Sequence, residues 1–95
     1  MYKFREFYVR DDMIDSLQRY LTEGIRPGLF LQKVICHKSL QDICEVADDE
    51  NLRNLPAYAA YLYNEVPSGC HGSEERMESW INKELYFRLY NRNSK

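Results

Sequence analysis

The chain has 95 residues, enough for one domain around a single core and too few for a separate catalytic lobe. A formal charge of −2 sets up no global field that would draw it onto nucleic acid or an anionic membrane. The first residues lack the apolar core of a secretory signal and no run approaches the ~18 apolar residues of a membrane span, so a cytosolic protein without membrane contact is expected.

Three cysteines, Cys36, Cys44 and Cys70, leave one unpaired under any pairing and favour reduced thiols. Eight tyrosines, four phenylalanines and one tryptophan are a surplus for this length, and tyrosine's apolar body with a polar tip suits contact surfaces as well as cores.

In chain order, Tyr2 to Val9 mixes aromatics with Lys3, Arg5 and Glu6 and reads as an extended arm, or else an irregular lead-in. Asp11 or Asp12 then offers an N-cap, and Met13, Ile14, Leu17, Tyr20 and Leu21 keep helical spacing up to Gly24, a left-handed C-terminal residue, which predicts a helix from about Asp12 to Glu23. Pro27 opens the next helix, whose apolar stripe is Phe30, Leu31, Val34 and Ile35, ending near Cys36 to Lys38. Ser39 caps a short third helix with Asp42 at its third position and Leu40, Ile43, Cys44 and Ala47 as its buried side.

The central stretch runs from Asn51 to Val66, with Leu52, Leu55, Ala59, Leu62 and Val66 at spacings of three and four. Pro56 deep inside a helix costs ~3 kcal/mol, so it belongs in the first turn or two. On a wheel centred on Ala59, Tyr63 falls beside the core face, Tyr58 on its flank and Tyr61 away from it. After Pro67 to Gly72, Ser73 caps a fifth helix with Met77, Trp80 and Ile81 in the core. Beyond Ile81 the residues Leu85, Phe87 and Leu89 alternate with Tyr86, Arg88 and Tyr90, which is either a strand pairing with Tyr2 to Val9 or a helix that buries its apolar groups against another copy. Asn91 to Lys95 is expected to be disordered. The fold class is therefore an all-α bundle of about five short helices in one domain spanning residues 1–95, with extended arms at either end and residues 84–95 as a separate arm or oligomerisation segment.

Four constellations bear on function. Cys36-His37 and Cys70-His71 carry zinc-ligand residue types, but adjacent side chains diverge and rarely chelate one ion, so no metal and no cofactor is expected. Cys70, in a loop leading to a helix N-terminus, is the one candidate thiol nucleophile; His71 cannot serve as its base by adjacency and His37 reaches it only through the fold. Helices two and three have the lengths of a helix-turn-helix with Arg26, Lys33 and Lys38 as phosphate contacts, yet Asp42, Glu45, Asp48 and Asp49 on the reading helix repel phosphate. Tyr58 and Tyr61, with Tyr86 and Tyr90, form an aromatic anchor patch for a protein partner on one reading and ordinary core margin on the other.

The segments Gly24-Ile25-Arg26-Pro27-Gly28-Leu29-Phe30-Leu31, Ala47-Asp48-Asp49-Glu50-Asn51-Leu52 and Tyr63-Asn64-Glu65-Val66-Pro67-Ser68-Gly69-Cys70-His71-Gly72-Ser73 resemble a group of small uncharacterised proteins encoded by bacteriophages and prophages. The similarity spans roughly Tyr8 to Trp80 and leaves the Leu85 to Lys95 tail outside it. In that group the place of His37-Lys38 often holds Asn-Asp and His71 can be Trp, which argues against histidine ligands there. The resemblance implies action in a bacterial cytoplasm and supplies no catalytic residues. The expectation is thus a non-enzymatic accessory protein that binds a host or phage protein, in defence or replication, and self-associates through its tail. A small nucleic-acid-binding regulator and a Cys70 thiol enzyme are the alternatives.

Overall fold

The computed structural model describes the backbone of residues 1–93 and the side chains of residues 1–90. Among the described residues the chain forms a two-stranded hairpin followed by six α-helices: β1 (Tyr2–Phe4), β2 (Phe7–Val9), α1 (Asp11–Glu23), α2 (Leu29–Ile35), α3 (Leu40–Val46), α4 (Asp49–Arg53), α5 (Leu55–Glu65) and α6 (Glu74–Asn93), with a 3₁₀ turn at Ser68–Cys70. The architecture is mostly helical with a small antiparallel sheet, which corrects the expectation of an all-α chain of five helices. The arm at Tyr2 to Val9 is extended as read, but it satisfies its backbone by folding on itself, with Tyr2 opposite Val9 and Phe4 opposite Phe7. That pairing leaves no role for a strand at Leu85 to Tyr90, and α6 runs through that segment to Asn93. The disorder expected from Asn91 does not hold as far as Asn93, and Ser94 and Lys95 lie outside the described residues.

Several helix boundaries follow from side-chain chemistry visible in the sequence. Gly24 closes α1 at φ 68°, with its N–H turned back to the Tyr20 carbonyl and the Ile25 N–H to the Arg19 carbonyl. A Cβ there would stand 2.6 Å from the Glu84 Cβ, so the glycine also lets α1 approach α6. Ser39 caps α3 by accepting from the Asp42 N–H at 3.2 Å, and Ser73 accepts from the Arg76 N–H at 3.1 Å at the start of α6. Asp11 and Asp12 lie in the first turn of α1, where they face the helix dipole; the residue before the helix is Arg10, which makes no side-chain cap.

The central stretch is two helices. Asn54 ends α4 and begins α5, accepting from the Ala57 N–H at 2.9 Å, and Pro56 then sits in the first turn of α5, where it breaks no ladder bond. The break resets the helical phase. Leu52 is exposed, Leu55 half-buried and Ala59 exposed, while Ala57, Tyr58, Ala60, Tyr61 and Leu62 are buried. The buried arc of α5 is centred near Tyr61, roughly 160° around the wheel from Ala59.

The core joins Leu17 and Tyr20 of α1, Phe30, Leu31, Val34 and Ile35 of α2, the buried face of α5, and Met77 and Ile81 of α6. Two buried hydroxyls and one half-buried indole fix its register. The Tyr20 hydroxyl donates to the Cys70 carbonyl at 2.6 Å, the Tyr58 hydroxyl to Asn51 Oδ1 at 2.7 Å, and the Trp80 indole N–H to the Tyr20 carbonyl at 3.1 Å. The hairpin lies on α5, with Tyr2 edge-on to Tyr61 at 5.1 Å between ring centres. A polar seam ties it to α4: the Tyr8 N–H donates to Asn54 Oδ1, and the Tyr8 hydroxyl and Arg10 guanidinium both reach the Glu50 carboxylate at 2.5 Å. Helix α3 is peripheral. Leu40 and Cys44 are exposed and Ile43 and Ala47 only half-buried, so its expected buried side forms in part.

Candidate functional site

The four tyrosines expected to share one patch divide into two pairs. Tyr58 and Tyr61 are buried, at 2% and 6% exposure, which corrects their assignment to a partner surface. Tyr58 packs edge-on against Phe30 and Tyr61 against Tyr2, because the hairpin and α2 cover the side of α5 that a wheel centred on Ala59 turns outward. Burial pushes the Tyr61 phenol up and holds Tyr58 well above the usual phenol range. Tyr63, read as beside the core, is instead 85% exposed.

Tyr86 and Tyr90 are exposed and stacked on each other at 6.4 Å between ring centres, one helical turn apart. They belong to a larger apolar end of α6 that also contains Leu85, Phe87 and Leu89, and these five side chains are between 44% and 70% exposed. Glu84, half-buried beside Gly24, marks where α6 leaves the body. The helix phase explains why this end has nothing to pack against. The face carrying Met77 and Ile81 continues onto Arg88, while the five apolar residues occupy an arc centred roughly 150° away, turned from the body. A 20-residue helix is about 30 Å long, and its projection accounts for the 47 Å long axis of a molecule only 25 by 21 Å across.

A second constellation is assembled by the fold from residues far apart in the chain. His37 follows α2 in the left-handed region at φ 56°, and His71 follows the 3₁₀ turn. The Gly72 N–H donates to the Ile35 carbonyl at 2.8 Å, which pins the two loops together. As a result His37 Nε2 and His71 Nδ1 lie 2.9 Å apart, with the ring centres at 5.0 Å. Below them is a cavity of about 360 Å³ between α2, α3 and α5, lined by Val34, Ile43, Leu62 and Tyr63 as well as by both imidazoles. Its dimensions lie at the small end of ligand sites. Desolvation, then the neighbouring His37 and Arg76, push the His71 imidazole below its ordinary value, so the neutral ring is favoured.

The cysteines take no part in this pairing. Cys36 and Cys70 are buried beneath their histidines, and Cys36 Sγ lies 3.7 Å from Met77 Sδ. Burial raises the Cys70 thiol above its usual value, the reverse of what a nucleophilic thiolate needs, and the residue is engaged through its backbone, its carbonyl accepting from Tyr20 and its N–H donating to the Pro67 carbonyl.

The candidate phosphate contacts are largely engaged within the molecule. Arg26 forms a two-point bond with the Glu78 carboxylate at 2.5 and 2.6 Å, and Lys38 reaches Glu74 at 3.3 Å. Lys33 is half-buried on α2. These pairs join the α1–α2 and α2–α3 connections to α6, which is a structural use of the same cations.

In the sequence each Cys-His dipeptide stands as a local unit. No local signal could show that the fold would pair one histidine from each, since 34 residues separate them. Among the described residues no group of three or more metal-ligating side chains forms, and no helix is long and apolar enough to cross a membrane. Comparison with protein-family models, with curated proteins and with solved structures finds no match.

Proposed function

We propose that this chain is a non-enzymatic accessory protein, of phage or prophage type and at work in a bacterial cytoplasm, whose business is to bind another protein through the projecting end of α6. The observation that carries the reading is the contiguous exposure of Leu85, Tyr86, Phe87, Leu89 and Tyr90 on a helix that has left its own core. Exposed aromatic clusters of this kind are what protein interfaces bury, because a large rigid ring contributes apolar area at small entropic cost. The phage-type origin rests on the sequence resemblance between Tyr8 and Trp80.

A second copy of the chain is a natural occupant of that end. At ~200 Å² for each large side chain, the five residues offer about 550 Å² of apolar surface per copy, and a symmetric pair then covers about 1,100 Å², near the lower bound of a specific interface.

Light scattering on the purified chain across a concentration series tests this directly. A dimer that reverts to monomer in a Tyr86→Ser, Phe87→Ser double variant, with the melting transition retained, supports pairing. If the wild type stays monomeric, the test passes to capture from bacterial lysate. A stoichiometric protein lost with the same double variant then supports a foreign partner, and recovery indifferent to those substitutions removes α6 from the interface.

A further inference from the structure

We propose that His37 and His71 form a two-histidine binding site for a first-row divalent transition metal, with Zn²⁺ as the reference ion. The inference is independent of the binding role given to α6. It starts from the 2.9 Å separation of His37 Nε2 and His71 Nδ1. Tetrahedral zinc holds imidazole nitrogens at about 2.0–2.1 Å, which puts two of them about 3.4 Å apart, so the rings need to open by only about 0.5 Å. The movement is small because His37 is exposed and His71 half-buried.

The backbone behind the rings is held from several sides. Gly72 bonds to Ile35, Arg76 Nη1 donates to the carbonyls of His71 and Ser68, and the Lys38 N–H donates to the Lys33 carbonyl. A site on anchored loops loses little freedom when a ligand arrives. The proton balance also closes. In the neutral pair one imidazole donates its N–H to the other's lone pair; on metal binding that proton moves to the same ring's outer nitrogen, both inner nitrogens present lone pairs, and no net proton leaves.

Two imidazoles leave the remaining positions of a tetrahedral ion to water or to a small anionic ligand. Imidazole donors without a thiolate or a carboxylate cage select zinc, copper and nickel over magnesium and calcium. Of the nearby cations, Lys38 is paired with Glu74, whereas Arg76 donates to backbone carbonyls, keeps its charge and opposes the ion at His71, which sets the affinity below that of an uncharged surrounding.

The test is calorimetric titration with zinc chloride and, separately, magnesium chloride, on the wild type and on His37→Ala, His71→Ala and Cys44→Ser variants. Cys44→Ser controls for the exposed thiol on α3. Expected are one zinc per chain in the wild type and in Cys44→Ser, at least a tenfold loss of affinity in each histidine variant, and no saturable magnesium binding. Imidazole nitrogen shifts on adding zinc should move for His37 Nε2 and His71 Nδ1 in the wild type, a readout that stands even if a variant folds poorly. Zinc binding of equal strength in both histidine variants, unmoved imidazole nitrogens, or no zinc uptake at all overturns the proposal.

Discussion

The two halves of α6 use similar residues to opposite ends. From Glu74 to Ile81 the helix lies in the body, with Met77 at 2% and Ile81 at 8% exposure, while from Leu85 onward residues of equal hydrophobicity are open to water. Nothing in their composition separates them; what differs is whether α1, α2 and the Ser68–Cys70 turn stand opposite, as they do for the first half alone. Apolar area stabilises a fold only when something covers it, so the first half supports the monomer and the second is available for association.

Truncation separates the halves most sharply. Met77→Ala is expected to cost about 3 kcal/mol, the loss from a buried large-to-small change, whereas Phe87→Ala changes monomer stability by no more than about 0.5 kcal/mol; urea unfolding at a concentration where the chain is monomeric reads both. Similar losses for the two would mean that the α6 end is buried after all. Gly24→Ala strikes the boundary, where a Cβ meets Glu84 at a positive φ, and should cost about 2–3 kcal/mol in the same assay. A neutral outcome would place the departure of α6 elsewhere.

The tyrosines sharpen the comparison at lower cost. Tyr58→Phe leaves the buried Asn51 Oδ1 without its donor and is expected to lose about 1–2 kcal/mol, while Tyr86→Phe, which removes only an exposed hydroxyl, leaves the melting temperature where it was. The smallest effect is a pH dependence at the opposite margin, where a polar contact takes the place of an apolar one. The Tyr8 hydroxyl first, and then the Arg10 guanidinium, hold the Glu50 carboxyl below its usual value. A lowered folded value means that this contribution is complete above the ordinary glutamate range and is lost as pH falls through the folded value. Acid unfolding of Glu50→Gln should therefore show a shallower decline below about pH 4.5 than the wild type, and parallel curves would show that the carboxylate is not engaged in solution.

Local chemistry was readable wherever one residue decides one bond. Gly24 as a left-handed terminus, Ser39 and Ser73 as caps and Pro56 in a first turn are set by interactions within four residues, which the order of residues contains outright. The phase of α5 was not readable in this way. Carrying the spacing of Leu52 and Leu55 across Asn54 assumes an unbroken helix, and the break turns Tyr61 inward and Tyr63 outward. The hairpin was half visible: its extended backbone was legible, but not its partner strand.

By itself, then, the order of residues determined a helical majority and the positions of most turns and caps. Tertiary structure alone decided which tyrosines are core and which are surface, where α6 parts from the body, and that His37 and His71 meet. The physical reason is range. Caps and turns are closed by bonds between near neighbours, whereas burial and side-chain encounter depend on which elements lie across from one another, and that is settled only when the whole chain packs.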